Sequence, residues 1–215
     1  IYTSGTTGKP KGVLVQHDNL VSYLWWAQQQ YTDGQPTSFA LHSSIVFDLT
    51  VTSIFVPLIT GGSIRVYPDT NQQGTLIRDV FRENAVDVVK LTPSHLALVR
   101  DLDLTTTRIK KLIVGGEDFK TELALAIHRA SNGRIRQFNE YGPTEATVAC
   151  MIHEFQPQRD TRPSVPIGTP AHNMQVYVLD KRLQPTPTGV IGEMVLAGAN
   201  IARGYHNRPE LTQER

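Results

Sequence analysis

Apolar positions along the chain follow two alternating rhythms. Leu76, Ile77, Val80 and Phe81 recur at the three-and-four spacing of one helix face, as do Leu123, Ala126, Ile127 and Ala130. Around them lie short apolar runs at 38–41, 63–67, 86–91, 111–114, 135–138 and 147–153, which predict strands, with one more at 12–16. Residues 18–30 read as a helix with Asp18 as N-cap. An apolar helix over 47–59 stops at Gly61-Gly62, and Ser94 is placed to cap a short helix reaching Leu102. Strand and helix in alternation predict an α/β fold with a largely parallel sheet flanked by helices. From Val165 onward the pattern changes. Runs at 176–179 and 193–197 read as strands joined by Gly/Pro turns, with no long helix between them. The expected division is an α/β core at 1–164 and the start of a smaller, mostly-β subdomain at 165–215.

Composition narrows the function. The chain has 215 residues, 40% of them hydrophobic, enough to bury a real core. Twenty-one basic residues meet twenty acidic ones for a formal net charge of +1. That balance offers no electrostatic case for nucleic acid or an anionic membrane as partner. Apolar stretches such as 54–59 are too short to span a bilayer. A single cysteine, Cys150, excludes an internal disulfide and points to a reducing, cytoplasmic setting; no Cys/His spacing suits zinc. With no initiator Met and no signal-peptide pattern at its start, the sequence reads as an internal piece of a larger protein.

The loudest chemical signal is Thr3-Ser4-Gly5-Thr6-Thr7-Gly8-Lys9-Pro10-Lys11-Gly12. Small hydroxyl residues and glycines let backbone N–H groups and hydroxyls converge on an anion, and two lysines add charge. It is not a Walker P-loop, because two residues rather than four separate Gly5 from Gly8, and Pro10 follows Lys9. Here the sequence resembles the adenylate-forming superfamily of acyl-CoA synthetases, firefly-type luciferases and the adenylation domains of nonribosomal peptide synthetases. Asn139-Glu140-Tyr141-Gly142-Pro143-Thr144-Glu145 is similar to that family's second signature. A third, in the form typical of peptide synthetases, runs from Gly192-Glu193 through Gly198 and Arg203-Gly204-Tyr205 to Asn207-Arg208-Pro209-Glu210.

The resemblance implies roles that side-chain chemistry supports. Thr3 to Gly8 would cradle the phosphates of ATP, with Lys9 and Lys11 supplying charge. Tyr141 would lie against adenine, and Asn139 would read its amino edge. Gly142 would set a tight turn, and the Thr144 hydroxyl would meet the α-phosphate. Glu145 would hold Mg²⁺, a hard ion served by carboxylate and phosphate oxygens. Gly116-Glu117 resembles the segment beside adenine and ribose. Alone, Glu145 would read as an exposed helix-start carboxylate and Gly116-Glu117 as a turn. No Ser/His or Cys/His pair suggests a nucleophile, which fits a transfer that needs positioning and charge neutralisation. The family's small mobile domain, with its lysine, and its Thr-Gly-Asp ribose segment are not in this sequence, so the site residues form a partial set.

Asp48 begins an otherwise apolar helix and shares a face with Thr52. It either caps that helix or, as the resemblance to amino-acid-activating domains implies, meets a substrate ammonium. A fatty-acid-activating relative would leave it buried without a cation. The family's pocket-lining positions carry over to Asp48, Leu49, Thr52, Lys90, Ile113, Gly115, Glu140, Val148 and Ala149, beside Phe47. Lys90 interrupts the apolar run Val88-Val89-Lys90-Leu91, as an edge-strand guard or as a pocket donor. In the pocket it would face Glu140 across the substrate side chain. A donor on one wall and an acceptor on the other suit a carboxamide, asparagine before glutamine, in keeping with the asparagine-type pocket pattern of peptide synthetases. Phosphopantetheine on a carrier domain, and a condensation domain, are the implied partners. An acyl- or aryl-CoA ligase, or a non-catalytic ligand-binding relative, is the alternative.

Overall fold

The computed structural model describes residues 1–3, 10–68 and 76–214. The short strands β1 (Tyr2–Thr3) and β2 (Lys11–Gly12) pair antiparallel. Helix α1 (His17–Tyr31), strand β3 (Ser38–Leu41), helix α2 (Leu49–Thr60) and strand β4 (Ser63–Val66) follow. Next come α3 (Leu76–Glu83), β5 (Val88–Leu91), α4 (Pro93–Ala97), β6 (Lys111–Gly115), α5 (Thr121–Ala130) and β7 (Arg136–Tyr141). After a 3₁₀ turn at Thr144–Ala146 come β8 (Met151–Glu154), β9 (Thr169–Pro170), β10 (Met174–Leu179), β11 (Glu193–Gly198) and α6 (Pro209–Glu214). One sheet carries the order β4-β3-β5-β6-β7-β8-β9, parallel from β4 to β7 and antiparallel through β8 and β9. Strands β10 and β11 form a separate antiparallel pair. The predicted α/β class, with a parallel sheet, flanking helices and small antiparallel additions, is the one observed. Among the described residues no helix is long and apolar enough to cross a membrane.

Alternation along the buried strands assigns each residue to one of two apolar layers. Val89, Leu91, Leu112 and Val114 pack with Val80, Phe81, Ala124 and Ile127 of α3 and α5. Val88, Ile113, Phe138 and Phe39 pack with Tyr23, Trp26 and Val56 of α1 and α2. By the same period of two, Lys90 and Glu140 fall on the layer beneath α1 and α2.

Several element boundaries differ from the sequence expectation, each for a local reason. Helix α1 begins at His17 with Gln16 as N-cap, not with Asp18. The Asn19 Oδ1 accepts the Gln16 backbone N–H at 2.9 Å, so a side chain three residues in serves the first turn. Helix α4 is capped by Thr92, not Ser94, and ends at Ala97. Pro93 sits at its first turn, where no N–H is needed. The run at 12–16 yields only β2 and a bridge from Val13 to Tyr205. The run at 147–153 starts its strand at Met151, because Thr147 (φ 52°) and Val148 (φ 70°) are left-handed and cannot continue a strand. Gly61 does end α2 in the left-handed region at φ 69°.

Candidate active site

Strand β2, the loop after β7 and Tyr205 converge on one charged cluster. Lys11 Nζ donates to Glu145 Oε1 at 3.0 Å and to the Tyr205 hydroxyl at 3.3 Å, and lies 4.7 Å from the centre of the Tyr205 ring. Tyr205 in turn donates to the same Oε1 at 2.6 Å. Burial pushes the Glu145 carboxyl up, but the Tyr205 and Lys11 donors outweigh it and hold it below the usual carboxylate range. Ser4, Gly5, Thr6, Thr7, Gly8 and Lys9 lie outside the described residues; Thr3 and Lys11 bracket them.

One helix end and one turn meet beside this cluster. Thr144 Oγ1 donates to Asp48 Oδ2 at 2.6 Å. Asp48 occupies the N-cap position of α2, yet its side chain makes no capping hydrogen bond. Both residues line a cleft of about 340 Å³ with Gln16, Val51, Phe55 and Val148. Phe47 precedes Asp48 and is exposed, while Leu49 is half-buried. The Gly142 position allows the turn after β7 to pass against the next segment, since a Cβ there would come within 2.5 Å of Ala149 Cα. Thr147 Oγ1 donates to the Asn200 carbonyl at 2.6 Å, anchoring the left-handed pair Thr147-Val148 on which the cleft wall depends.

Around β7 the side chains divide between structure and exposure. Asn139 Nδ2 donates to the carbonyls of Val165 (2.9 Å) and Pro166 (3.0 Å), which leaves its Oδ1 to accept from a ligand. Tyr141 is 37% exposed. Gly116 is left-handed at φ 85°, and Glu117 accepts the Ser94 backbone N–H at 3.0 Å, serving the first turn of α4.

On the α1/α2 face of the sheet a polar ring is buried among apolar groups. Lys90 pairs directly with Glu140 Oε2, and both side chains are almost fully buried. The expectation placed a substrate between them; in this structure they touch. Lys90 Nζ also donates to Thr52 Oγ1 at 2.7 Å, and Thr52 Oγ1 lies 2.5 Å from the Tyr23 hydroxyl. Tyr23 and Tyr31 donate to Glu140 Oε1 at 3.0 and 2.8 Å. Register contributes to the meeting. Lys90 is level with Ile113 and Glu140 with Gly115 on the intervening strand, where a Cβ would come within 2.7 Å of the Glu140 carbonyl oxygen. Ile113 and Ala149 are wholly buried nearby.

A family model for AMP-binding enzymes matches residues 1–206. The chain belongs to the AMP-binding enzyme family. Over its whole length it is 53% identical to bacitracin synthase 3 of Bacillus licheniformis and 49% identical to tyrocidine synthase 3 of Brevibacillus parabrevis. It spans only 3% of each of those relatives. Among solved structures it resembles the Vibrio cholerae adenylation domain AlmE in complex with glycyl-adenosine-5'-phosphate. That likeness has a TM-score of 0.88 at 26% identity and covers all of this chain and 41% of that one. The Klebsiella oxytoca NpsA N-terminal subdomain bound to 3-hydroxybenzoyl-AMSN gives 0.83 at 27% identity, covering all of this chain and 55% of that one.

Of the residues singled out in this AMP-binding family member, Asp48, Thr144 and Val148 share the cleft, and Lys90, Thr52 and Glu140 share the buried ring. Tyr23, Tyr31 and His42 were not foreseen as site residues. The His42 Nε2 lies 3.0 Å from the Lys90 carbonyl oxygen; that oxygen only accepts, so Nε2 carries the hydrogen. Burial pushes the His42 imidazole down to about 4, against the pull of that hydrogen bond. His95 stands edge-on to it, ring centres 5.9 Å apart.

Proposed function

We propose that this chain is the amino-acid- and nucleotide-binding part of an amino-acid adenylation domain. The substrate carboxylate attacks the α-phosphorus of ATP, pyrophosphate leaves, and an aminoacyl-adenylate forms for transfer to a phosphopantetheine carrier in nonribosomal peptide synthesis. The Thr144–Asp48 hydrogen bond carries this reading. It sets the residue expected at the α-phosphate against the one expected at the substrate ammonium, so the two reacting groups would be held side by side. The Asp48 side chain is free of any capping duty to its helix, which supports its meeting a cation instead.

The residues fit the implied nucleotide and metal. Lys11 and Thr144 would face phosphate oxygens, and Tyr141 with Asn139 Oδ1 would take adenine. Among the described residues no group of three or more His, Cys, Asp or Glu could hold a metal. A lone, partly exposed Glu145 suits Mg²⁺, which keeps most of its shell for water and phosphate. Bound there, Mg²⁺ would neutralise charge on the phosphates.

Asparagine is the proposed substrate. Lys90 and Glu140 already cancel each other's charge, so a neutral side chain joins them without leaving a buried excess. A carboxamide can donate to the open side of Glu140 Oε2 and accept from the Lys90 ammonium. Aspartate would bring a second carboxylate to Glu140. The test is ATP–pyrophosphate exchange by the intact adenylation protein with each of the twenty amino acids. Dependence on asparagine supports the proposal. Preference for an aliphatic or aromatic amino acid overturns the pocket assignment, and exchange with no amino acid at all overturns the activity.

A further inference from the structure

We infer that Tyr23 and Tyr31 of α1 are specificity-determining residues, acting through Glu140. This rests on the asparagine reading of the same pocket. Both hydroxyls donate to one oxygen, Glu140 Oε1, while Lys90 occupies Oε2. A carboxylate oxygen accepts about two hydrogen bonds, so Oε1 is full and only one position on Oε2 stays open to a substrate. Proton directions follow around the ring. Lys90 donates to Thr52, Thr52 to the Tyr23 oxygen, and Tyr23 to Glu140, because Lys90 can only donate and the carboxylate only accepts. Every hydroxyl in the circuit is thereby committed, and Glu140 is pinned in place.

Among the described residues these hydroxyls bond only within the ring, Tyr23 with Glu140, Thr52 and, at 3.4 Å, Lys90, and Tyr31 with Glu140. Tyr23 and Tyr31 are fully buried beside Trp26, with ring centres 5.8 and 6.0 Å from it, and Tyr31 also packs edge-on to Phe138 at 5.7 Å. Phenylalanine would fill the same space. Burial and the facing Glu140 push both phenols well above their ordinary range, so they remain donors throughout the working range of pH. Their effect is on geometry and acceptor count. A single open acceptor recognises one N–H donor, which asparagine supplies and aspartate does not. Without one phenol hydroxyl, a water can enter, donate to Oε1 and turn its second hydrogen toward an aspartate carboxylate.

The experiment measures kcat/KM for asparagine and for aspartate in pyrophosphate exchange by the intact adenylation protein, its Tyr23→Phe and its Tyr31→Phe variants. Thermal midpoints and tryptophan fluorescence check that each variant folds. We expect the asparagine-to-aspartate ratio to fall by about tenfold in each variant, the loss of one buried hydrogen bond to a charged group. The change should reside in KM for the amino acid, with KM for ATP unaltered. A folded variant with the wild-type ratio, or one slowed equally toward both amino acids, overturns the inference while leaving the asparagine reading intact. A wild type that prefers an amino acid other than asparagine overturns that reading, and this inference with it. Should one variant fail to fold, the ratio measured on the other decides the question alone.

Discussion

Thr144 and Asp48, 96 positions apart in the chain, share a hydrogen bond of 2.6 Å. The bond joins the turn after the last parallel strand to the start of α2, and with them the two halves of the proposed reaction. A substrate ammonium arriving at Asp48 would have to share or displace the Thr144 hydroxyl, which would then be free to turn to a phosphate.

Removing the phosphate-side groups should slow chemistry. Thr144→Ala and Glu145→Ala should each lower pyrophosphate exchange on the order of a hundredfold, the loss expected for one preorganised contact to developing charge. Tyr205→Phe should give a smaller loss, because it deletes one of the two donors that hold Glu145 Oε1 while Lys11 remains. Unaltered exchange in all three variants would remove the proposed nucleotide site.

Asp48→Ala should act on the amino acid far more than on ATP. An ammonium left in the cleft without its carboxylate costs about 3–5 kcal/mol if buried there. Isothermal titration with ATP should therefore give near wild-type affinity while exchange is lost. Normal activation of the same amino acid by a folded variant would leave Asp48 without a role in substrate binding.

Charge balance in the ring predicts a switch. Glu140→Gln leaves Lys90 buried without its counter-ion, and both Tyr23 and Tyr31 lose a charged acceptor. The variant should be less stable by about 3 kcal/mol or more when empty. Aspartate can bring the missing carboxylate, so relative preference should move from asparagine toward aspartate. A kinetic comparison showing no relative gain for aspartate would mean that Glu140 does not meet the tip of the substrate.

His42 should leave a mark on acid stability. Its folded value of about 4 lies below the ordinary 6.5, chiefly through burial. Between those values the unfolded chain binds a proton that the folded chain does not. Stability therefore falls as pH drops from 6.5 to 4, by up to about 1.4 kcal/mol per pH unit from this group, and the group has no effect above that window. His42→Asn should flatten the difference in urea midpoints between about pH 7 and pH 5. Parallel pH profiles for the two proteins would show that the imidazole is not buried neutral.

Local features were legible in the sequence. The helix face at 76–81, the stop at Gly61 and the parallel α/β class follow from spacing and backbone freedom over a few residues, and folding left them unchanged. The helix at 123–130 formed as expected, but its buried face is centred on Ala124 and Ile127, with Leu123 and Ala130 partly buried and Ala126 outside the core. The likeness of three motifs to a known family was equally readable, since it needs only order along the chain. The strand expected at 147–153 failed at its start because Thr147 and Val148 take left-handed angles that their residue types do not announce. Those angles are held by the loop around Asn200.

By itself, then, the sequence determined the fold class, the family and the residue types present at each motif. Only the tertiary structure decided that Lys90 meets Glu140 directly, and that the hydroxyls completing their ring come from α1 and α2. The pairing of Tyr205 with Glu145 belongs to the same class. A tyrosine on a buried helix face looks like any core aromatic in one dimension. Its hydroxyl acquires a purpose only when sheet register and helix packing bring a carboxylate from more than a hundred residues away within 3.0 Å. A hydrogen bond depends on distance and direction in space, and periodicity along the chain encodes neither across that separation.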